Sequence, residues 1–467
     1  MTDLAEGRDV ADAARSLDLR GGVIVPGDPD YDVARAVWNG MHDRRPAVIA
    51  RAAGVADVLA ALRFGRERDL RIAVRAGGHN VAGNGTVDDG LVIDLGAMKG
   101  VRVDPANRTV RVEPGVVLSD LDRETEPFGL AVPIGVVSQT GVAGLTLGGG
   151  VGWLTRSYGL SIDNLISADV VLADGRLVRA ASDGDAGLFW GIRGGGGNFG
   201  IVTSLEFHAQ PLGPEVFAGA FVYEQPRWSE ALGAFVAWTD DLPDELTSIV
   251  SFIAPPPSWE LGDRTLMLLG FAWAGPDARD GERTIARLRS AARPDVEIAE
   301  PTRWVAWQSA ADELFPKGVR AYWKNASLDR LDGAAIATIV EYAARLPAKG
   351  SGFDIHHLGG AFARVPQEAT AFPNRAAAYW LNMYGVWRDP QDDDRGKAWA
   401  RDFHAAMQPF AAGGEYVNFL GAEASDLDVR TQALTAYGPT KLARLVELKR
   451  RYDPDNVFRL NHNIPTS

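Results

Sequence analysis

Cysteine is missing from all 467 residues of this chain. That absence excludes disulfides, thiolate metal ligands, thiol nucleophiles and cysteinyl cofactor links, and it fits a reducing compartment. Histidine is scarce, with seven copies. Basic charge is outweighed: 48 lysines and arginines against 61 acidic residues leave a net charge of −13. Nucleic-acid affinity comes largely from neutralising phosphates, so an acidic chain without a basic cluster argues against a nucleic-acid partner. No apolar run is long enough to span a bilayer. Met1–Leu19 mixes charges with small residues and has no signal-peptide core. Arg44–Arg45 lies too deep for a twin-arginine signal and reads as two surface arginines. The expectation is a cytoplasmic protein with no membrane partner. No His/Asp/Glu group has metal-ligand spacing and no Ser-His-Asp order suggests a hydrolase, so no metal site is expected.

What remains is a globular composition, 46% hydrophobic and 23% charged, long enough for two or three domains. Ala47–Ala50 reads as a buried strand, Val55–Asp69 as a helix, and Ile72–Val74 as a second strand, a β-α-β unit closed by the loop RAGGHN, Arg75–Asn80. Short strands follow at Gly90–Leu95, Val101–Asp104 and Thr109–Gly115. Asp169–Ala180 predicts a hairpin with Asp174-Gly175 as a two-residue turn, and Ile201–Ala209 one more strand. After Gln210-Pro211 the texture changes. Runs at Thr265–Trp273, Ala321–Ala326 and Tyr379–Trp387 alternate with helical stretches such as Gly333–Arg345, and Thr440–Arg451 is a charged amphipathic helix. The pattern predicts α+β architecture, the second part an antiparallel sheet covered by helices.

Glycine is abundant, at 52 copies, and clustered. Gly77-Gly78, GLTLGGGVG (Gly144–Gly152) and RGGGGNFG (Arg193–Gly200) let backbone approach a ligand closely and aim successive N–H groups at phosphate oxygens. A Rossmann fingerprint fails on context. Gly148–Gly152 does not follow a β-branched strand, and the acidic residue downstream, Asp169, begins a strand where the ribose-binding one should end it. The plain alternative is three tight turns without a ligand.

The ordered set is more specific than any one run. RAGGHN, the VEPGV turn (Val112–Val116), TGVAGLTLGGGVGWLTRSYGLSIDN (Thr140–Asn164), GGGGNFGIVT (Gly194–Thr203) and the terminal YDPDNVFRLNHNIP (Tyr452–Pro465) together resemble the berberine-bridge-enzyme-like branch of the vanillyl-alcohol-oxidase superfamily. The resemblance implies a two-domain PCMH-type FAD-binding fold. Residues 1–212 would form the FAD-binding domain, 213–413 the substrate-binding domain, and 414–467 a C-terminal segment returning to the FAD domain. It implies that FAD is bonded through the histidine of the first loop, His79. Arg75, Ala76, Gly77, Gly78 and Asn80 would meet the pyrophosphate. Val137, Ser138, Thr140, Gly141, Gly144 and Leu145 would line the flavin ring. Gly149, Gly152, Trp153, Leu154, Tyr158, Gly159 and Asn164 would hold the rest of the dinucleotide. Gly200, Ile201 and Val202 would pack on the adenine side, and Asn461 and Asn463 would reach the flavin from the C-terminus.

Two departures from the family pattern follow. Relatives with a second, cysteinyl tether place it at the position of Val137, so the covalent link here is expected through His79 alone. The tyrosine that serves relatives as base aligns with Phe419, in Asn418-Phe419, and the alternative glutamate slot with Asn382. Neither is a usable base, which weakens the case for alcohol or sugar oxidation and favours an amine-type substrate or a reaction driven by an acidic substrate. Asn382 remains a substrate-orienting candidate, and His356 and His357 remain catalytic candidates. Successive strand residues face opposite ways, so only one histidine of the pair can face the flavin. Lys324 reads as surface. Of 13 tryptophans, Trp304, Trp307, Trp323, Trp380 and Trp387 fall in the second domain, mostly as core with one or two as pocket wall. The resemblance implies an FAD-dependent oxidase that transfers hydride from a small organic substrate, of amine or alcohol type, and reduces molecular oxygen to hydrogen peroxide. The alternatives are a flavin-dependent oxygenase or cyclase, and a non-catalytic flavin-binding protein.

Overall fold

A computed structural model describes residues 9–422 and 429–467. The first eight residues of the Met1–Leu19 stretch lie outside it. Strands β1 (Val23–Ile24), β2 (Val48–Arg51), β3 (Ile72–Arg75) and β4 (Leu91–Asp94) form one sheet in the order β1-β2-β4-β3. β4 runs parallel to both β2 and β3. The helix Val55–Glu67 carries the chain from β2 across to β3, leaving the place between them for β4. Val48, Ile49, Leu91, Val92 and Ile93 are fully buried, as strands covered on both faces require.

A second sheet is antiparallel, built from β5 (Val101–Asp104), β6 (Thr109–Val112), β8 (Leu165–Val171), β9 (Leu177–Ala181) and β10 (Ile201–His208) in the order β5-β6-β10-β8-β9. Two short strands, β7 (Leu130–Ala131) and β11 (Gln210–Pro211), pair beside it. The β8–β9 hairpin departs from the two-residue turn predicted at Asp174-Gly175. Leu172 N–H bonds to the Arg176 carbonyl and Gly175 N–H to the Leu172 carbonyl, both at 2.9 Å, with Gly175 at φ +86°. The loop is therefore Ala173–Gly175, a turn followed by a left-handed glycine that restores the register.

A seven-stranded antiparallel sheet follows in the order β15-β12-β14-β13-β17-β18-β16. Its members are β12 (Glu215–Tyr223), β13 (Leu246–Ile253), β14 (Leu266–Trp273), β15 (Val296–Arg303), β16 (Arg320–Leu328), β17 (Gly352–His357) and β18 (Tyr379–Trp387). One face packs under the helices Trp228–Thr239, Ala278–Ala291, Gly333–Ala343 and Asp393–Met407, around buried Trp228, Phe235, Phe252, Phe353 and Phe403. The other face looks towards the glycine loops. The fold is thus α+β, and its last helical stretch, Val429–Tyr452, is broken at Gly438-Pro439, where Gly438 takes φ +71°. No helix among the described residues is long and apolar enough to cross a membrane.

Candidate active site

The floor of the site is backbone. Gly77 and Gly141 press together so closely that a Cβ on Gly77 would lie 2.6 Å from the Gly141 Cα, and a Cβ on Gly141 2.7 Å from the Gly77 nitrogen. Gly78 takes φ +67°. Only glycine satisfies both demands, which explains the run by geometry. Arg75 is tied to Asp94 at 2.8 Å, while its Nη1 is buried without a partner. His79 stacks on Trp38 with ring centroids 4.5 Å apart and planes 19° from parallel. Burial pushes its imidazole down to about 4, so the ring is neutral, and Nε2 has no hydrogen-bond partner. A neutral ring with an uncommitted nitrogen is the nucleophilic form of histidine.

The third glycine run is held from the C-terminus. Asn461 Nδ2 donates to the Gly197 carbonyl at 3.0 Å, and Ile464 N–H to Asn198 Oδ1 at 3.2 Å. Lys449, fully buried, donates to the carbonyls of Asn198 and Phe458, both at 2.9 Å, and to Asp453 at 2.7 Å. Asp453 also accepts the N–H groups of Val457 and Phe458. The terminal YDPDNVF segment is therefore a clasp that shapes the glycine loop.

The roof is the open face of the seven-stranded sheet, and register decides what it carries. Ser251, Asp354, Asn382 and Asn325 stand opposite one another across β13, β17, β18 and β16. Two residues along, on the same face, stand His356, Trp380 and Ser327; on the other side stand Tyr384 and Trp323. Asp354 accepts from Ser251 Oγ at 2.7 Å and Tyr384 Oη at 3.1 Å, and from Asn382. Burial raises its carboxyl to about 6 against those three neutral donors. Burial takes His356 down to about 4, so it too is neutral. Asn382 Oδ1 is buried without a partner. Phe315, Trp323 and Phe419 complete an aromatic wall.

One cavity connects floor and roof. It is lined by Arg75, Ala76, Gly77, Gly78, His79, Asn80, Val137, Thr140, Gly141, Gly144, Leu145, Gly200, Ile201, Val202 and Asn461 below, and by His356 and Asn382 above. Trp323, one of the tryptophans expected to supply a pocket wall, also lines it, as do Asp354, Phe315, Tyr416 and His462, four residues the sequence reading missed. The one signal for Asp354 was its place two residues before His356 in FDIHH, hence on the same strand face.

Other expected residues stand elsewhere, each for a packing reason. His357 points through the sheet to Tyr379, 5.6 Å between ring centroids, and to Arg156. Ser138 is turned towards Asp312, which accepts its N–H at 2.8 Å and its hydroxyl at 2.5 Å. Gly149 backs onto Phe372 and Tyr416, and Gly152 onto the Ile134 carbonyl. Trp153 packs on Trp307 at 5.0 Å, and Leu154 is buried beside Ala131 and Trp304. Tyr158 donates to the Pro211 carbonyl, Gly159 takes φ +83°, and Asn164 Nδ2 staples the carbonyls of Tyr158 and Leu160. Asn463 is absent from the lining, its Oδ1 buried without a partner. Of residues 149–164 only Val151 reaches the cavity; the expected contacts Gly149, Gly152, Trp153, Leu154, Tyr158, Gly159 and Asn164 pack behind it. Phe419 does line it, as a wall. Tyr416, the nearest phenol in sequence, already accepts from Gly150 N–H and Asn418 Nδ2, both at 2.9 Å, and burial raises it to about 12.

A cavity with a glycine-backbone floor and unpartnered Arg75 and His79 nitrogens fits a dinucleotide with a reactive ring at the His79 end. Comparisons with known proteins agree. An FAD binding domain profile matches residues 46–181, and a berberine and berberine-like profile matches residues 415–465. An FAD-linked oxidoreductase of Dictyostelium discoideum is 32% identical over 91% of this chain and 90% of its own. The (R)-6-hydroxynicotine oxidase of Paenarthrobacter nicotinovorans is 31% identical over 97% of this chain and 98% of its own. The solved structure of 6-hydroxy-D-nicotine oxidase from Arthrobacter nicotinovorans superposes with a TM-score of 0.86 at 27% identity, covering 97% of this chain and all of that one.

Proposed function

Because this chain belongs to the berberine-bridge-enzyme-like FAD-linked oxidoreductases, we propose that it is an oxidase of a small organic amine, with FAD held covalently through His79 as its single link. Bound FAD would supply the two-electron acceptor for the substrate and its return to the oxidised form by dioxygen, with release of hydrogen peroxide. On this reading residues 1–212 and 414–467 hold the cofactor and residues 213–413 cover the substrate. The cysteine-free composition fits a cytoplasmic enzyme.

The observation that carries the reading is the pairing of the His79 floor with the Asp354 roof in one cavity. Among the described lining residues only Arg75 and Asp354 carry charge near neutral pH, and Arg75 is already paired with Asp94. The substrate half therefore presents one carboxylate, an amide oxygen and a neutral imidazole with one acceptor nitrogen, within aromatic walls. Such a surface suits a flat cation that brings N–H donors. Asp354 answers the missing-base problem raised by Phe419 and Asn382. Its carboxylate would take the ammonium proton, leaving a neutral amine able to release hydride. Asn382 Oδ1 would orient the nitrogen, and His356 would fill the space beside it without charge. Of the two ring nitrogens of His79, the uncommitted Nε2 is the candidate attachment atom.

The test is anaerobic bleaching of the flavin by a panel of cyclic amines and matching alcohols. Bleaching by amines, followed by peroxide on readmission of air, is expected. Bleaching by alcohols alone would overturn the amine reading, and label from heavy oxygen in the product would overturn the oxidase reading.

A further inference from the structure

A buried carboxyl joins the flavin-side helix Leu118–Thr125 to a strap of the substrate side. Asp122 on that helix is 2% exposed. Its oxygens accept from Trp304 Nε1 at 3.1 Å and Gln308 Nε2 at 3.4 Å. Gln308 Nε2 also donates to the carbonyl of Gly135, a wall residue of the cavity, at 3.1 Å. Further along the same strap, Asp312 holds Ser138 by its N–H and hydroxyl. The strap ends at Phe315, whose carbonyl accepts from Trp38 Nε1 at 2.8 Å and whose ring lies in the cavity wall. Trp38 is the residue stacked on His79.

We propose that Asp122 is a positioning residue for this site: through Gln308 and the Trp304–Phe315 strap it sets the Gly135–Thr140 loop and the Phe315 wall, and it does so differently in its two charge states. The charged groups around it are few. Glu126, just beyond the helix end, is held by Arg303 at 2.7 Å. Asp120 of the same helix is paired with Lys99 at 3.1 Å, and Arg123 is exposed. The strap brings Asp312, committed to Ser138, and Glu313, which accepts from Ser258 Oγ, and residues 133–137 bring no charge.

Burial pushes the Asp122 carboxyl up to about 7, the two donors opposing and Glu126 adding to the rise. Ionised, the carboxylate uses both donors. Protonated, it has a hydrogen to give, and Gln308 Oε1 stands beside it buried without a partner. Gln308 can meet that hydrogen only by turning Oε1 towards Asp122, which withdraws Nε2 from the Gly135 carbonyl. Protonation thus exchanges the tether on the cavity loop for a bond within the helix–strap contact.

The sign of the pH effect follows from linkage. An unfolded aspartate titrates at about 3.9, below the folded value. The stability conferred by the bound proton is complete below about pH 4 and is lost as pH rises to about 7, after which the difference is constant. Thermal unfolding of the purified holoprotein and of Asp122→Asn should therefore show a gap that widens from pH 4 to 7 in favour of the variant, then levels. The visible circular dichroism of the wild-type flavin should change with a midpoint near 7, absent in Asp122→Asn. Gln308→Leu removes a donor that favours the ionised form, so it should move the midpoint up by about half a pH unit or more. An unfolding gap constant with pH, or an unchanged midpoint in Gln308→Leu, overturns the proposal, and the second variant carries the test if the first fails to fold. The spectroscopic arm rests on the flavin reading above. A preparation without flavin refutes that reading while the unfolding arm still decides on Asp122.

Discussion

The floor and the roof of the cavity are built on opposite principles. The floor, from Arg75–Asn80, Thr140–Leu145 and Gly194–Val202, recognises with backbone, and its critical residues matter for what they lack: a Cβ at Gly77 or Gly141 would strike the facing loop. The roof recognises with side chains, and each depends on its register in the sheet, as Ser251, Asp354 and Asn382 do across three strands. The floor holds a group of fixed shape, so its tolerances are steric. On the proposed reading the roof would meet a substrate that changes charge during reaction, so its tolerances would be electrostatic. Cofactor retention should therefore be a floor property and rate a roof property.

The largest effect should come from breaking the floor. His79→Ala should release all flavin on acid precipitation, whereas the wild type should keep one FAD on the single peptide containing His79. Flavin on any other peptide would dissolve the distinction between the two surfaces. Gly77→Ala tests the same surface sterically: flavin content should fall steeply while the roof strands fold as before, read by absorbance per polypeptide. A fully loaded variant would show that the Gly77–Gly141 approach yields.

Roof substitutions should leave flavin content intact. Asp354→Asn should slow flavin reduction by roughly 10²–10⁴-fold, the usual range for a positioned base. The wild-type rate should rise with pH through about 6 as the carboxyl loses its proton, and the variant should lack that rise. A rate within threefold of wild type would remove Asp354 from the chemistry. Asn382→Ala should raise KM roughly two- to tenfold, the equivalent of one hydrogen bond at about 0.5–1.5 kcal/mol. His357→Leu sharpens the comparison by doing least. It lies on the helix-covered face beside Tyr379, so kcat and KM should stay within about twofold.

The same contrast explains what could be read from the chain. Glycine requirements are local, since a positive φ at Gly78 or a backbone contact at Gly77 leaves its mark where it occurs. The RAGGHN loop and the last glycine run were therefore legible. Gly149 and Gly152 matched the motif equally well yet pack behind the cavity, because glycine is needed as much for packing on Phe372 or Ile134 as for meeting a ligand. Asp354 was overlooked because it looks ordinary in FDIHH. Only the pairing of β17 with β13 and β18 surrounds it with Ser251, Tyr384 and Asn382 and raises its carboxyl.

By itself, then, the sequence determined the α+β architecture, the clustered glycines, the placing of His79 in a loop, and through strand alternation that His356 and His357 part company. Those features rest on φ, on periodicity and on short spacings, all carried within a few residues. Tertiary structure alone decided which histidine faces the cavity, that Trp38 stacks on His79, that Asp354 lines the cavity opposite Asn382, and that Asp122 lies under the Phe315 strap. Each of these joins residues far apart in the chain, and burial, which sets the charge of Asp354, His356 and Asp122, exists only once those residues have come together.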